Sequence, residues 1–346
     1  MSTDQLLGAV LRRVPDGDPV YLLELIAECG GDISKVFKLL GVNNASSKIQ
    51  STFKVSKAPP PQATRPKSGV VHLHTPEQVK AANICCSLHL SVLESSRANA
   101  LLCELLEDSQ DWKSSKFYLF DREVQSPHTS ATYADDEMLL KTQASTYQGR
   151  MVEKILPFNK AMAEARDTIQ AIVNTEMEKR AAKAGKTNWV SHFAICNHYK
   201  SKDESVGYHS DQLTHLGPKP TIAGLSLGSC REFRFKHRHT KNSPVYSIRL
   251  PHNSLVIMHA GNQELFKHSI VPVRAVDTNP VSGTSRISIT YRYYHPDYTY
   301  EKIPKCRCDK PMILRTTVGL PYKYIWQCGT AYQTNKGCGK VIEKDP

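Results

Sequence analysis

The chain has 346 residues, 40% of them hydrophobic, and 45 Lys and Arg against 33 Asp and Glu give it a formal net charge of +12. That length and apolar content exclude a small disulfide scaffold and a wholly disordered chain, and they leave room for more than one domain. No apolar run approaches the ~20 residues of a membrane span and no basic-then-apolar leader opens the chain, so a soluble intracellular monomer is expected, its positive charge suited to a polyanionic partner.

Residues 1–42 read as a three-helix module. Leu6, Leu7, Val10 and Leu11 make one apolar stripe that Val14-Pro15 ends, and Tyr21 to Ile26 carry a second. Gly30-Gly31 breaks that helix, Asp32 or Ser34 caps the next, and Val36, Leu39 and Leu40 close the bundle. Its charges nearly cancel, so the nucleic-acid footprint lies elsewhere. Residues 43–69 hold Pro59-Pro60-Pro61, Pro66 and scattered polar residues, too few of them apolar to offset the entropy of ordering, and are expected to be a disordered linker.

A domain over 70–300 follows. Ala98, Leu101, Leu102, Leu105 and Leu106 predict a helix behind a Ser95-Ser96 cap, and Met162, Ile169, Ile172, Val173 and Met177 predict a longer one ending near Gly185. From Trp189 the period changes to two. Phe193, Ile195, Asn197 and Tyr199 alternate with their neighbours, as do Phe233 with Phe235, Tyr246 with Ile248 and Leu250, and Ile287 with Ile289 and Tyr291. The expected fold class is α+β, with a double-stranded β-helix (jelly roll) enclosing a site between its sheets and helices packed outside.

Within that pattern His209 and Asp211 occupy alternate positions, so in an extended segment both side chains leave on one face. With His268 they make two histidines and one carboxylate, the triad that leaves open positions on non-haem Fe(II). The strand Arg286 to Arg292 places Arg286, Ser288, Thr290 and Arg292 on one face and Ile287, Ile289 and Tyr291 on the other. Two inward arginines are costly without an anion, and a dicarboxylate supplies one that guanidinium binds bidentately; an edge strand with solvated arginines is the other reading.

Of the ten cysteines, Cys29, Cys85, Cys86, Cys103, Cys196 and Cys230 sit in apolar patterns and are expected in the core. Cys306, Cys308, Cys328 and Cys338 crowd residues 304–346, where their spacing suits a closed tetrahedral zinc (Zn) site. This tail carries eight Lys and Arg against three Asp and Glu, interleaved with Tyr322, Tyr324, Trp326 and Tyr332, a composition that suits phosphate contact and base stacking on single strands.

From about Val71 to Pro296 the sequence resembles the AlkB family of Fe(II)- and 2-oxoglutarate-dependent nucleic-acid dealkylases. Asn197-His198-Tyr199 followed by Gly207-Tyr208-His209-Ser210-Asp211 is similar to that family's N-x-Y segment leading into its H-x-D, and Arg286 to Arg292 is similar to its R-x-N-x-x-x-R strand. The resemblance implies that His209, Asp211 and His268 hold iron and that Asn197, Tyr199, Arg286 and Arg292 hold 2-oxoglutarate. It implies substrate contacts for Tyr133, within Pro127 to Asp135, and for Tyr147, within Thr146 to Gly149, where a flipped base would stack. The activity implied is oxidative demethylation of N-alkylated bases in single-stranded DNA or RNA, with release of formaldehyde, in the nucleus or the cytoplasm. Ser288 departs from the family's asparagine, and Leu213 stands where many relatives have an acidic residue that contacts the target base. Leu213 accepts no hydrogen bond, so the choice of base, and of DNA or RNA, stays open.

Two further resemblances flank this domain. Residues 304–346 resemble a GRF-type zinc finger, with Tyr324-Ile325-Trp326 in place of the G-R-F triplet, and residues 1–42 resemble a CUE-like ubiquitin-binding module. Two rival functions remain at this point: a dioxygenase acting on a protein or small molecule, and a non-catalytic scaffold joining ubiquitin to nucleic acid.

Overall fold

The computed structural model describes residues 3–14, 22–23, 26, 31–39, 69–119, 122–135, 146–147, 150–151, 154–180, 188–240, 243–317, 321–330 and 338–344. The proposed linker, except Gly69, lies outside the described residues. Helices α1 (Thr3–Leu11) and α2 (Ile33–Leu39) share a core of Leu7, Val10, Leu22, Leu23, Ile26, Val36 and Phe37, in line with the first two predicted stripes and the start of the third. The side chains of Leu39 and Leu40 lie outside the described residues. Asp32 caps α2, its Oδ1 accepting from the backbone N–H groups of Ser34 and Lys35 at 3.0 and 3.2 Å.

Past the linker the chain enters β1 (Val70–Leu73), α3 (Pro76–Ala82) and β2 (Cys86–Leu90). Sequence periodicity does not announce α3, but its Thr75-Pro76-Glu77-Gln78 start is a capping box, with Thr75 and Gln78 each accepting from the other's backbone N–H. Helix α4 (Ser95–Asp108) buries Ala98, Leu101, Leu102 and Leu105, each leucine worth roughly 2 kcal/mol of transfer free energy. Its cap is not the expected Ser95-Ser96 pair. Glu94 takes that position, accepting from the N–H groups of Ser96 and Arg97, because a carboxylate also complements the positive end of the helix. Cys103, expected in the core, lies on the exposed face of α4, off the Leu101–Leu105 stripe.

The hairpin β3 (Lys116–Leu119) and β4 (Arg122–Gln125) leads to β5 (Thr129–Ala134), then β6 (Thr146–Tyr147), β7 (Arg150–Met151) and β8 (Ile155–Pro157). Helix α5 (Lys160–Arg180) buries Met162, Ala165, Ile169 and Val173. Then come β9 (Phe193–Tyr199), β10 (Val206–His209), β11 (Ile222–Gly228), β12 (Arg231–His237), β13 (Val245–Leu250) and β14 (Ser254–Met258). The short helix α6 (Asn262–Leu265) precedes β15 (Phe266–Ile270) and β16 (Arg286–Arg292). In the C-terminal region lie β17 (Met312–Thr316), β18 (Tyr324–Cys328) and β19 (Val341–Lys344).

These strands form a seven-stranded sheet in the order β2-β14-β11-β16-β9-β5-β8, a five-stranded sheet β1-β13-β12-β15-β10, and a separate three-stranded sheet β17-β18-β19. The central strands of the larger sheet are buried on both faces. Its outer residues, among them Ala194, Cys196, Leu225, Ile257, Ile287 and Ile289, pack under α4 and α5, while Leu88, Ile222, Val256 and Met258 point inward to meet Phe235, Ile248 and Leu250 of the smaller sheet. Double burial explains why β14 reads as an unbroken apolar run. Two facing sheets with helices outside are the expected jelly-roll arrangement, and the cavity between them is where the candidate site lies. Among the described residues no helix is long and apolar enough to cross a membrane.

Candidate active site

Strand pairing assembles the three proposed metal ligands. His209 at the end of β10 stands opposite His268 of β15 in antiparallel register, and Asp211 follows two residues after the strand stops. Nε2 of His268 lies 3.4 Å and Nε2 of His209 3.8 Å from Oδ1 of Asp211, and one donor atom from each residue fits within 4.8 Å of the other two. The Nδ1 of His209 lies 2.8 Å from the carbonyl of Gly207, a contact that leaves Nε2 directed to the shared point. Gln263 of α6 fixes the third ligand, its Oε1 accepting from the backbone N–H of Asp211 at 2.7 Å.

The electrostatics keep His209 and Asp211 in their ligating forms. Burial and the neighbouring His268 push His209 down to about 4, so its imidazole is neutral near pH 7. Burial alone would raise the Asp211 carboxyl, but Arg292 and the two histidines more than offset it and hold the group well below the usual carboxylate range. Arg292 donates from Nε and Nη2 to Oδ2 of Asp211 at 2.9 and 2.5 Å. Two imidazoles and one ionised carboxylate facing an open cavity fit ferrous iron, whose remaining positions stay available.

The inward face of β16 is as predicted. Arg286, Ser288, Thr290 and Arg292 line a cavity of about 1060 Å³ between the sheets, with Asn197 and Tyr199 of β9 beside them, while Ile287, Ile289 and Tyr291 sit in the core. The two arginines differ. Arg292 is engaged with Asp211, whereas Arg286 donates through Nε to Ser226 Oγ at 2.9 Å and has no hydrogen-bond partner at Nη1. Burial pushes the Arg286 guanidinium down to about 10, still cationic at neutral pH, and Tyr199 lies under it at 5.3 Å. A buried guanidinium with an unpartnered N–H suits a carboxylate, so Arg286, Asn197 and Tyr199 fit one end of a dicarboxylate co-substrate.

The expected substrate tyrosines fare differently. Tyr133 is 2% exposed, belongs to the core under the helices, donates from its hydroxyl to Asp108 Oδ2 at 3.2 Å, and also lines the cavity that holds the triad. Its position explains this, since Tyr133 pairs with Ala194, and both belong to the helix-facing core. The backbone of Tyr147 forms β6, paired with Arg150, and its side chain lies outside the described residues.

The four expected zinc ligands converge. The Sγ atoms of Cys306, Cys308, Cys328 and Cys338 lie within 4.8 Å of one another, with Cys306 to Cys338 at 3.1 Å and Cys308 to Cys328 at 3.6 Å. A tetrahedral Zn–S site places sulfurs about 3.8 Å apart, so the cluster fits that ion with small adjustments.

Several further residues shape the site. His128 stacks on Tyr199 at 4.9 Å with its Nδ1 2.9 Å from the Ser205 carbonyl. Arg231, 1% exposed, donates to the carbonyls of Ser201, Glu204 and Val271 and so secures the loop before β10. Gln263 stands in the buried polar run Asn262-Gln263-Glu264, which interrupts an apolar stretch and is the cue that marks it. Leu213 resolves a departure noted in the sequence. It is not turned toward a base, because it is buried with Met312, Leu314, Tyr324 and Trp326 of the C-terminal region.

The model of the 2OG-Fe(II) oxygenase superfamily matches residues 86–292. The chain is similar to the human DNA oxidative demethylase ALKBH2, 34% identical over 115 residues, which cover 32% of this chain and 42% of that protein. It is also similar to the mouse alpha-ketoglutarate-dependent dioxygenase alkB homolog 3, 31% identical over 110 residues, covering 30% of this chain and 36% of that one. The chain thus spans less than half the length of these relatives. Among solved structures, that of OsALKBH1 aligns over 61% of this chain and 97% of its own, at a TM-score of 0.42 and 13% identity.

Proposed function

The chain belongs to the 2OG-Fe(II) oxygenase superfamily, and from that premise we propose that it is an oxidative demethylase of N-alkylated bases in nucleic acid, acting in alkylation repair. The single observation that carries the reading is the pairing of the His209–Asp211–His268 triad with an unpartnered, buried Arg286 in one cavity, in a chain whose relatives include a DNA oxidative demethylase. His209, Asp211 and His268 would hold the iron, Arg286 and Arg292 with Asn197 and Tyr199 would hold 2-oxoglutarate, and Arg292 also positions Asp211. Bound there, iron, 2-oxoglutarate and O2 supply the hydroxylation that turns an N-methyl group into a hemiaminal, which collapses to formaldehyde. The chain's own residues do the rest. They keep the His209 imidazole neutral, hold the co-substrate by charge-assisted hydrogen bonds, and supply apolar walls that exclude water.

Leu213 offers the base no polar contact, so selection rests on the state of the base. A methylated base that cannot pair costs less to unstack, and that difference favours its capture from single strands in DNA or RNA. The four-cysteine cluster is read as a structural zinc site of a GRF-like module spanning 304–346, supported by its converging sulfurs. Residues 1–42 are read as a CUE-like ubiquitin-binding module, supported by the helical core of α1 and α2. A nuclear monomer, with residues 43–69 as linker between that module and the 70–300 domain, completes the proposal.

The test is release of formaldehyde, dependent on iron and 2-oxoglutarate, from single-stranded DNA and RNA oligonucleotides carrying 1-methyladenine or 3-methylcytosine. Release that disappears in His209→Ala supports the reading. Binding of 2-oxoglutarate with no oligonucleotide turned over would sink it and leave a protein or small-molecule substrate.

A further inference from the structure

The C-terminal module is joined to the iron site by two routes. Along the chain, Leu213 lies two residues after Asp211 and is 3% exposed within the module's core, and the next residue, Thr214, accepts from the backbone N–H of Leu314 in β17 at 3.2 Å. Through space, α6 holds Asp211 by Gln263, while the adjacent Glu264 accepts from the Tyr324 hydroxyl at 3.1 Å and from the Lys219 N–H at 2.8 Å. Arg238 ties the same helix to β17, donating to the Gln263 carbonyl at 3.1 Å and to Thr316 Oγ1 at 2.6 Å. The module is therefore bound to the jelly roll through buried contacts.

Strand periodicity then decides what β17 presents. Met312 and Leu314 point into the module's core with Leu213, so Arg315, between Leu314 and Thr316, leaves on the other face. There it lines the catalytic cavity, and it is the one lining residue drawn from 304–346 among the described residues. Lys113, Lys116 and Lys154 line the same cavity and are exposed. The acids that share the lining are Asp108, which accepts from Tyr133, Asp111, and Asp211, which is paired with Arg292.

We propose that Arg315 is a substrate-binding residue, carried to the catalytic cavity by the four-cysteine module, where it grips a backbone phosphate of the polynucleotide whose base is being oxidised. The inference rests on the nucleic-acid reading above. A guanidinium fork binds phosphate oxygens bidentately and carries no sequence information, so it anchors the strand and leaves the choice of base to the pocket. The module acts as a wall of the active site in addition to any binding of its own.

The test compares the full-length wild type with Arg315→Ala and Arg315→Lys on a methylated single-stranded oligonucleotide and on the corresponding methylated nucleoside, which has no phosphate. For Arg315→Ala, kcat/KM on the oligonucleotide is expected to fall about tenfold, mostly through KM, and much more than on the nucleoside. The log–log salt dependence of KM should lose about 0.7, the contribution of one phosphate contact on a single strand, and Arg315→Lys should retain it. A purely structural arginine would not move that slope. An unchanged slope, or equal losses on both substrates, overturns the proposal while wild-type turnover of the oligonucleotide leaves the demethylase reading intact. A wild type that turns over neither substrate defeats that reading, and this inference with it.

Discussion

Arg286 and Arg292 leave the same face of β16, yet the structure gives them different partners, and their substitutions should fail differently. Arg286→Gln removes the cation with the unpartnered Nη1 and is expected to raise the KM for 2-oxoglutarate by at least about tenfold, with iron affinity little altered. Arg292→Gln instead strips Asp211 of the charge that holds its carboxyl down. The carboxyl then protonates at higher pH, so affinity for an inert divalent surrogate such as Mn(II) should fall, and fall further as pH drops from 7 to 5. Titrations in which both variants lost co-substrate and metal to the same extent would contradict the division. Gly228 limits what else can change here. Its φ is +89°, and a Cβ would lie 2.4 Å from the Ser285 carbonyl, so Gly228→Ala should displace the start of β16 and with it Arg286.

At the scale of elements, helix α4 tests the cap. Glu94→Ala should lower the midpoint of denaturant unfolding, whereas Ser95→Ala should be nearly neutral; the reverse order would restore the cap to the serines. The comparison also shows what a sequence can reveal. The alternation in β16 and the His209–Asp211 spacing were legible because a period of two is a property of the strand itself. The four cysteines were legible because metal ligands cluster by type. The cap was not, since serine and glutamate both suit a first turn and neighbouring geometry decides between them. Nor was the hydrogen bond from Tyr133 to Asp108, because what meets a strand depends on helices placed elsewhere in the chain. The burial of Leu213 was not legible for the same reason, its partners in β17 and β18 being about a hundred positions away. For the cysteine cluster, Cys328→Ser is expected to lower the zinc content of the purified protein and to shift tryptophan emission to the red as Trp326, now buried against Tyr298, becomes wet. Emission and metal content unchanged by that substitution would remove zinc from the module.

For the whole molecule, buried histidines set a pH dependence. Burial pushes His198 down to about 4 and His259 to about 3, from an ordinary value of 6.5, and both ring nitrogens of His198 lack hydrogen-bond partners. The unfolded chain therefore takes up protons before the folded one as pH falls through 6.5. Stability from these groups is present above that value and drains away toward about pH 4. Between pH 7 and pH 5 the loss should be on the order of 1–2 kcal/mol for each histidine, read as a lower urea midpoint of the metal-free protein. His198→Gln should flatten the decline, and a wild type equally stable at both values would refute the assignment.

The pairing of β2 with β14 has a kinetic side. Ser87 and His259, joined by a 2.9 Å hydrogen bond, are 172 positions apart, and β1 likewise finds its neighbour in β13. Both sheets thus close only after long stretches of chain have been brought together, an arrangement that slows folding and leaves strand edges bare in the meantime. The protein should refold slowly and aggregate readily on the way, and recovery from a heterologous host should improve with chaperones and cooler growth.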